Sequence, residues 1–345
     1  MEQIKKLDAD RIRFGIVGLG VIANSHIQAL REIPSAVVAG VYDRAVDRAE
    51  QVARDLGAVV YSSYDEMLAD ESIDAVCICT PSGFHADQAE QALRAGKHVV
   101  LEKPMALTAA DAARVCRAEE ESNCMATVIF QSRFFEDFIR VRDLIRSGAF
   151  GRLTLCDLYM KYWRDPAYYA AGAWRGTWKM DGGGALMNQG IHGVDLMRYL
   201  LGDITLLRGR AQTMVHNIEV EDTAIALVEY SSGAMGVIEA STAVYPGFSR
   251  RIEIYGSQGY AVLVDFTLEK LCVNGEMLVD RVVETDIGVV SDPTRMSYDG
   301  HLMQLKNFVA ALRGEEALSV TTRDGYEAVR LIEEIYRSSQ NGEIK

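Results

Sequence analysis

The strongest constraint on the fold is an alternation that fills residues 1–130: an apolar run, a break, then a stretch with helical spacing. "RIRFGIVGLG" reads as a strand that ends in glycines, and "VIANSHIQALREI" as a helix that stops before Pro34. "AVVAGVYD" is a second strand, followed by "RAVDRAEQVARDLG", a helix with a glycine stop at Gly57. "VVYSSYDEMLAD" supplies a short strand and a short helix. "IDAVCICTP" with "FHADQAEQALRAG", then "HVVLEKP" with "TAADAARVCRAEEES", repeat the unit, and "MATVIF" closes it. Strands that are apolar throughout, separated by helices, predict a parallel sheet covered on both faces. That is an α/β, doubly wound Rossmann domain.

Beyond the helix "FIRVRDLIRSG" the pattern changes. "RLTLCDLYMKYW", "TLLRGRAQTMVH", "DTAIALVEYS", "AMGVIEASTAVY", "RRIEIYGSQG", "YAVLVDF" and "KLCVNG" are strands joined by turn residues. One helix, "GIHGVDLMRYLLG", is inserted, and two helices near 301–313 and 324–338 close the chain. The expectation is an α+β C-terminal domain on a large, mostly antiparallel open sheet. At 345 residues the chain is too long for one ordinary core. We expect a dinucleotide-binding domain at 1–130 and a substrate-binding and oligomerisation domain at 131–345, whose closing helices are free to pack back on the first.

The net charge of −13, without a Lys/Arg block, argues against nucleic acid or an anionic membrane as partner. No apolar stretch reaches the roughly 18 residues of a membrane helix. "MEQIKKLDADRIRF" carries no apolar signal core. The six cysteines lack disulfide-framework or zinc-finger spacing, so no metal site is expected and a reduced cytoplasmic protein is.

Gly18-Leu19-Gly20-Val21-Ile22-Ala23 is G-x-G-x-x-A, set between a strand and a helix. The first glycine suits a tight turn and the second a close approach of backbone to a pyrophosphate. The small Ala23 allows helix–strand packing, and the helix N-terminus attracts the anion. Asp43 ends the second strand 20 residues after Ala23, where a carboxylate grips a ribose 2′-hydroxyl. That favours NAD over NADP; Arg44, next door, could instead partner a 2′-phosphate.

"KHVVLEKPMAL" stops a buried strand on opposite charges and a proline. Ligands of a doubly wound sheet bind beyond the carboxyl ends of its strands, so Lys103 projects toward the reactive end of a dinucleotide. There an amine can donate a hydrogen bond or shuttle a proton. The bland alternative is a surface Glu–Lys pair ending a strand.

Four stretches carry a family resemblance: "FGIVGLGVIA", "CTPSGFHADQAEQALRAGKHVVLEKPMAL", "GGGALMNQGIHGVDLMRYLLG" and "HLMQLKNFVAAL" with "SVTTRDGYEAVRLIEEIYRSS". The chain resembles the glucose-fructose oxidoreductase / inositol dehydrogenase / MocA (Gfo/Idh/MocA) family over nearly its whole length. The resemblance implies hydride transfer between a nicotinamide cofactor and a sugar, polyol or sugar nucleotide. It implies Lys103 as the catalytic lysine, Thr80, Pro81 and His85 as the loop beside the cofactor, and Glu102 as an acid that contacts it. The peptide before Pro104 is often cis in such proteins.

In "GGGALMNQGIHGVD", His192 and Asp195 are three apart and Asn188 lies one turn earlier, so they share a helix face. The resemblance implies His192 as acceptor of the substrate hydroxyl's proton, a task that suits imidazole, and Asp195 as hydrogen-bonding support. Inositol dehydrogenases carry an aspartate where Asn188 stands. An amide can hydrogen-bond a hydroxyl but cannot take its proton, which points toward other sugars, including the 3-hydroxyl of nucleotide-linked uronates. The aromatic, arginine-bearing loop "KYWRDPAYYAAGAWRGTWKMDGGG" suits a sugar ring, with Lys161, Trp163, Arg175 and Trp178 as candidates. Tyr298 and His301 before the closing helix are weaker ones. The favoured expectation is an NAD-dependent sugar or polyol dehydrogenase that pairs through its open sheet into a dimer or tetramer. The rivals are a nucleotide-sugar dehydrogenase, a lyase or hydrolase that uses NAD transiently, and a dinucleotide-sensing regulator.

Overall fold

The computed structural model describes residues 11–172, 174–284 and 297–340. The chain divides into two compact units, each with its own sheet. The first runs to Gln131 and takes in Ser297–Glu327; the second holds Ser132–Met296 and the chain from Ala328 on. The sequence division at 130 left 297–327 with the second domain; by contacts that segment clusters with the first.

In the first unit β1 (Ile12–Val17), β2 (Ala36–Tyr42), β3 (Val59–Val60), β4 (Ala75–Ile78), β5 (His98–Leu101) and β6 (Ala126–Val128) form one sheet in the order β3-β2-β1-β4-β5-β6. All five pairings are parallel. The order reverses between β1 and β4, which is where a doubly wound sheet opens its ligand crevice. Helices α1 (Ala23–Arg31), α2 (Val46–Leu56), α3 (Tyr64–Ala69), α4 (His85–Arg94) and α5 (Ala109–Glu121) connect the strands. β4 and β5 are buried at every position, as parallel strands covered on both faces must be. A further helix, α9 (Asp299–Arg313), joins this core: Leu305, Phe308, Val309 and Leu312 pack with Phe14, Ile27 and Leu30. Its Gln304 bonds the backbone of Val128 and Phe130 at the end of β6.

The second unit holds α6 (Glu136–Arg146), β7 (Leu153–Lys161), α7 (Pro166–Ala170), a π-helix (Ala185–Gly190) and α8 (Ile191–Leu201). β8 (Ile204–Gln212), β9 (Thr223–Tyr230), β10 (Met235–Ser241), β11 (Arg251–Gly256), β12 (Gly259–Val264), β13 (Thr267–Val273) and β14 (Glu276–Asp280) follow. The eight-stranded sheet is ordered β14-β13-β12-β11-β7-β10-β9-β8. Every pairing is antiparallel except β7 with β10. β14 had no counterpart in the sequence reading, because "EMLVD" is short and largely exposed. The α8 side of the sheet is closely packed: a Cβ at Gly193 would stand 2.6 Å from the Met160 sulfur and 3.0 Å from Leu158. On the other face Leu155, Ile225, Leu227 and Met235 are exposed, and the register aligns them on neighbouring strands. The last described element is α10 (Thr322–Gln340), where Ser338 and Ser339 receive hydrogen bonds from the β8 backbone.

Among the described residues no helix is long and apolar enough to cross a membrane. The six cysteines are unbridged.

Candidate active site

The glycine loop of the first unit is built for close approach. Gly18 has φ +83°, and a Cβ there would lie 2.9 Å from Thr80 and 3.0 Å from the Cys79 carbonyl, so no other residue fits between β1 and β4. α1 begins with no side-chain cap and no acidic residue in its first turn, and Val21 is exposed there. The Ala23, Asn24 and Ser25 amides turn back on the carbonyls of Gly20, Val21 and Ile22, but no acid offsets the positive end of the helix, the polarity that receives a phosphate anion. Asp43 stands at the end of β2. One carboxylate oxygen accepts the Leu19 N–H at 2.7 Å and the other the Ala45 N–H at 2.7 Å, so the acid braces the glycine loop. Arg48, which the sequence reading did not single out, reaches the same carboxylate at 3.3 Å. Arg44 is exposed beside Asp43. A cradle that a Cβ would fill, an uncapped helix start and a carboxylate after β2 together fit a dinucleotide.

Across the crevice, Thr80, Pro81, Glu102 and Lys103 follow the carboxyl ends of β4 and β5, the edge at which a doubly wound sheet binds its ligand. Thr80 Oγ1 bonds Gln88 at 2.6 Å. His85 is buried, with Nε2 at 2.8 Å from the Thr80 carbonyl and Nδ1 at 2.7 Å from that of Pro104. It therefore ties the β4 loop to the β5 turn, while burial pushes the imidazole down against the pull of both carbonyls. The Lys103–Pro104 peptide is cis.

Glu102 is buried on an arrangement the sequence did not reveal. Its Oε1 lies 2.8 Å from His26 Nε2 (α1) and 3.3 Å from His301 Nε2 (α9), and its Oε2 accepts the Lys103 N–H at 3.2 Å. Burial opposes the carboxylate's charge, but the two imidazole bonds more than offset it and hold the carboxyl well below its usual range. Burial pushes His26 down. Three such ligand atoms within 4.8 Å could suit a metal ion. Metal-bound imidazoles, however, nearly always donate their second ring nitrogen, and both Nδ1 atoms here are buried without a partner. The cluster is better described as a carboxylate clamped by two imidazole donors.

In the second unit a polar network surrounds Asn188 on the π-helix. Its amide nitrogen donates to buried Asp181 at 2.5 Å, and its oxygen accepts from Gln189 Nε2 at 3.0 Å. Gln189 in turn bonds Tyr168 at 2.9 Å and buried Arg164 at 2.8 Å. Arg175 stacks over Tyr168, 4.3 Å from the ring centre. His192 opens α8, one turn beyond Asn188. Asp195 on the same helix is engaged by Arg133, bidentate at 2.8 and 2.5 Å and buried. That makes it a structural ion pair. Trp163, packed between His216 and Tyr245 at 5.5 Å each, lines a cavity of about 770 Å³ with Tyr169, Arg175, Thr177, His216 and Glu219. Trp178 packs on Tyr336 outside that lining.

The structure thus joins Asn188 and Arg175 in one network and Trp163 and Arg175 in one cavity. It does not bring Lys161 there. Lys161 follows Met160 on β7, so it points to the opposite face, where it pairs with Glu239 at 3.0 Å and lies over Tyr159. Of the two weaker candidates, His301 joins the Glu102 clamp and Tyr298 bonds Glu32. Arg164, Tyr168, Asp181 and Gln189 escaped the sequence reading because single polar residues in a loop carry no periodic signal.

A Rossmann unit with a dinucleotide cradle, and a sheet unit with an aromatic, arginine-lined cavity, define a nicotinamide-dependent oxidoreductase of small polar substrates. Residues 12–130 match the oxidoreductase family model with the NAD-binding Rossmann fold, and residues 138–262 match the GFO/IDH/MocA C-terminal domain. The chain belongs to the GFO/IDH/MocA oxidoreductase family. Myo-inositol 2-dehydrogenase of Thermotoga maritima is 26% identical over 337 residues, 93% of this chain and 94% of that one. The structure of the WlbA dehydrogenase from Bordetella pertussis, in complex with NADH and UDP-GlcNAcA, is 32% identical with TM-score 0.84, covering 96% of this chain and 98% of that one. The corresponding WlbA complex from Chromobacterium violaceum is 29% identical with TM-score 0.87, covering 99% and 97%. The chain is an NAD-dependent oxidoreductase acting on a hydroxyl or carbonyl of a sugar, polyol or sugar derivative.

Proposed function

We propose that the chain oxidises a secondary hydroxyl of a nucleotide-linked sugar, with Lys103 and His192 acting on the reacting oxygen. NAD, when bound, supplies the hydride acceptor. The Gly18 turn, the start of α1 and Asp43 hold its pyrophosphate and adenosine ribose; Thr80, Pro81 and Glu102 flank the other end. His192 takes the hydroxyl proton, and Lys103 donates a hydrogen bond to the same oxygen. Asn188, held by Asp181 and Gln189, orients a neighbouring hydroxyl without competing for its proton.

The observation that carries the nucleotide-linked reading is the cavity of about 770 Å³, beyond what a lone sugar ring needs, with Trp163 and Tyr169 for an aromatic group and Arg175 for an anion. The two WlbA structures, solved with UDP-GlcNAcA, support it. An inositol is the second reading, favoured by the relative named myo-inositol 2-dehydrogenase. The test is NADH formation with a panel of UDP-linked uronates, aldoses and inositols at equal concentration. Fastest turnover of the UDP-uronate is expected; an inositol turned over faster defeats the reading.

The exposed apolar residues on the open face of the eight-stranded sheet, interspersed with Lys161–Glu239 and other charges, support self-association into a dimer or tetramer. Six unbridged cysteines support a reducing, cytoplasmic setting.

A further inference from the structure

The triple glycine before the π-helix has no part in the chemistry above. Gly183 has φ +156°, and a Cβ there would meet the Tyr336 hydroxyl at 2.2 Å; at Gly184 a Cβ would stand 2.0 Å from the Glu221 carbonyl oxygen. The glycines therefore let the Glu221 backbone, before β9, and the Tyr336 side chain, from α10, close on the start of the helix that bears Asn188 and His192. Glu221 is 3% exposed. One of its carboxylate oxygens accepts the Gly184 N–H at 2.9 Å; the other accepts the Leu186 N–H at 2.8 Å and the Tyr336 hydroxyl at 2.9 Å. Only a carboxylate offers two acceptor oxygens to two helix-start amides; a glutamine would turn an N–H on one of them. The adjacent Asp222 accepts the backbone N–H groups of Met214, Val215 and His216, and the last two line the cavity. Two neighbouring acids thus hold the two parts of the substrate half.

We propose that Glu221 and Tyr336 are positioning residues, which cap the Asn188–His192 helix and set the direction of both side chains. The proposal rests on the reading of His192 as proton acceptor. Among the described residues no cationic side chain is bonded to the Glu221 carboxylate. The titratable groups that act on it are Tyr336 and, through Tyr336, Asp181. A protonated Glu221 would lose one acceptor and resemble glutamine. Burial pushes this carboxyl up to about 7, against the three hydrogen bonds.

The experiment compares kcat of the full-length wild type, Glu221→Gln, Tyr336→Phe and His192→Ala from pH 6 to 9, using the sugar of the panel above that is oxidised fastest. NADH affinity is read in parallel by fluorescence titration. Misplacing a catalytic group by about 1 Å costs up to about 100-fold. Glu221→Gln is expected to lower kcat by about 10- to 100-fold at pH 8.5, with NADH affinity within about twofold of wild type. The wild-type to variant ratio should shrink toward one as pH falls below about 7, because the wild type then carries the protonated cap. Tyr336→Phe should show a smaller deficit, and it is the variant that decides if Glu221→Gln does not fold. A pH-independent ratio in a folded variant, or wild-type kcat in both, overturns the proposal. Near-native turnover by His192→Ala overturns the reading of His192 itself and the proposal with it; an inactive His192→Ala beside a fully active Glu221→Gln overturns the proposal alone.

Discussion

Glu221→Gln also carries a stability signature that does not depend on turnover. Burial, opposed by the Gly184, Leu186 and Tyr336 bonds, moves the carboxyl from its ordinary 4.5 to about 7. Below about pH 4.5 the group is protonated in both the folded and the unfolded chain and its titration contributes nothing. Between 4.5 and 7 the unfolded chain releases the proton and the folded chain keeps it. The unfolded state then binds fewer protons, so stability falls as pH rises, and the loss is complete above about 7. At about 1.4 kcal/mol per pH unit the loss is about 3 kcal/mol. Glutamine does not titrate. Its cap resembles that of the protonated carboxyl, with one acceptor fewer than the carboxylate, and it escapes the pH-dependent loss. The variant should therefore lie close to wild type at pH 5 and pass it by pH 8. At roughly 2 °C per kcal/mol for a chain of this size, the gap in Tm should move by roughly 6 °C. Calorimetry or circular dichroism at pH 5, 6, 7 and 8 reads this directly. A gap that stays constant across that range means that Glu221 is ionised throughout in the folded protein, and the burial argument fails.

Lys103→Ala and His192→Ala should each lower kcat by about 10²- to 10⁴-fold while NADH titration changes little; native turnover in either removes that residue from the chemistry. Asp43→Asn should weaken NAD by more than a ribose contact alone would, since one of the bonds to the Leu19 and Ala45 amides is lost as well, and it should narrow the preference over NADP. Wild-type protein equally efficient with NADP rejects the role given to Asp43. Leu227→Glu, on the open sheet face, should shift the mass measured by light scattering at micromolar concentration to that of a monomer; a wild type already monomeric removes the basis for that expectation.

The local part of the fold was open to the sequence because its causes are local. Apolar strands broken by glycine and followed by helical spacing dictate a parallel sheet, and all six strands of the first unit lie where those runs are. Gly18 is legible as a turn because only glycine takes its backbone angle against Thr80. Asn188, His192 and Asp195 are legible as one helical set through their spacing. Sequence distance hides everything that depends on which segments meet. His301 lies 199 residues from the Glu102 it clamps, Tyr336 115 residues from Glu221, and Arg133 62 from Asp195. No periodicity links such pairs, because each partner's own element accounts for its place in the chain. Strand alternation alone could have turned Lys161 away from Met160, yet which face receives α8 is decided by the packing of Gly193 on Met160 and Leu158. The sequence by itself thus determined the parallel sheet of the first unit and pointed to the candidate reactive groups. The tertiary structure decided which buried carboxylates keep their charge and which helix ends they hold, because the cost of burying a charge depends on donors that folding alone brings within reach.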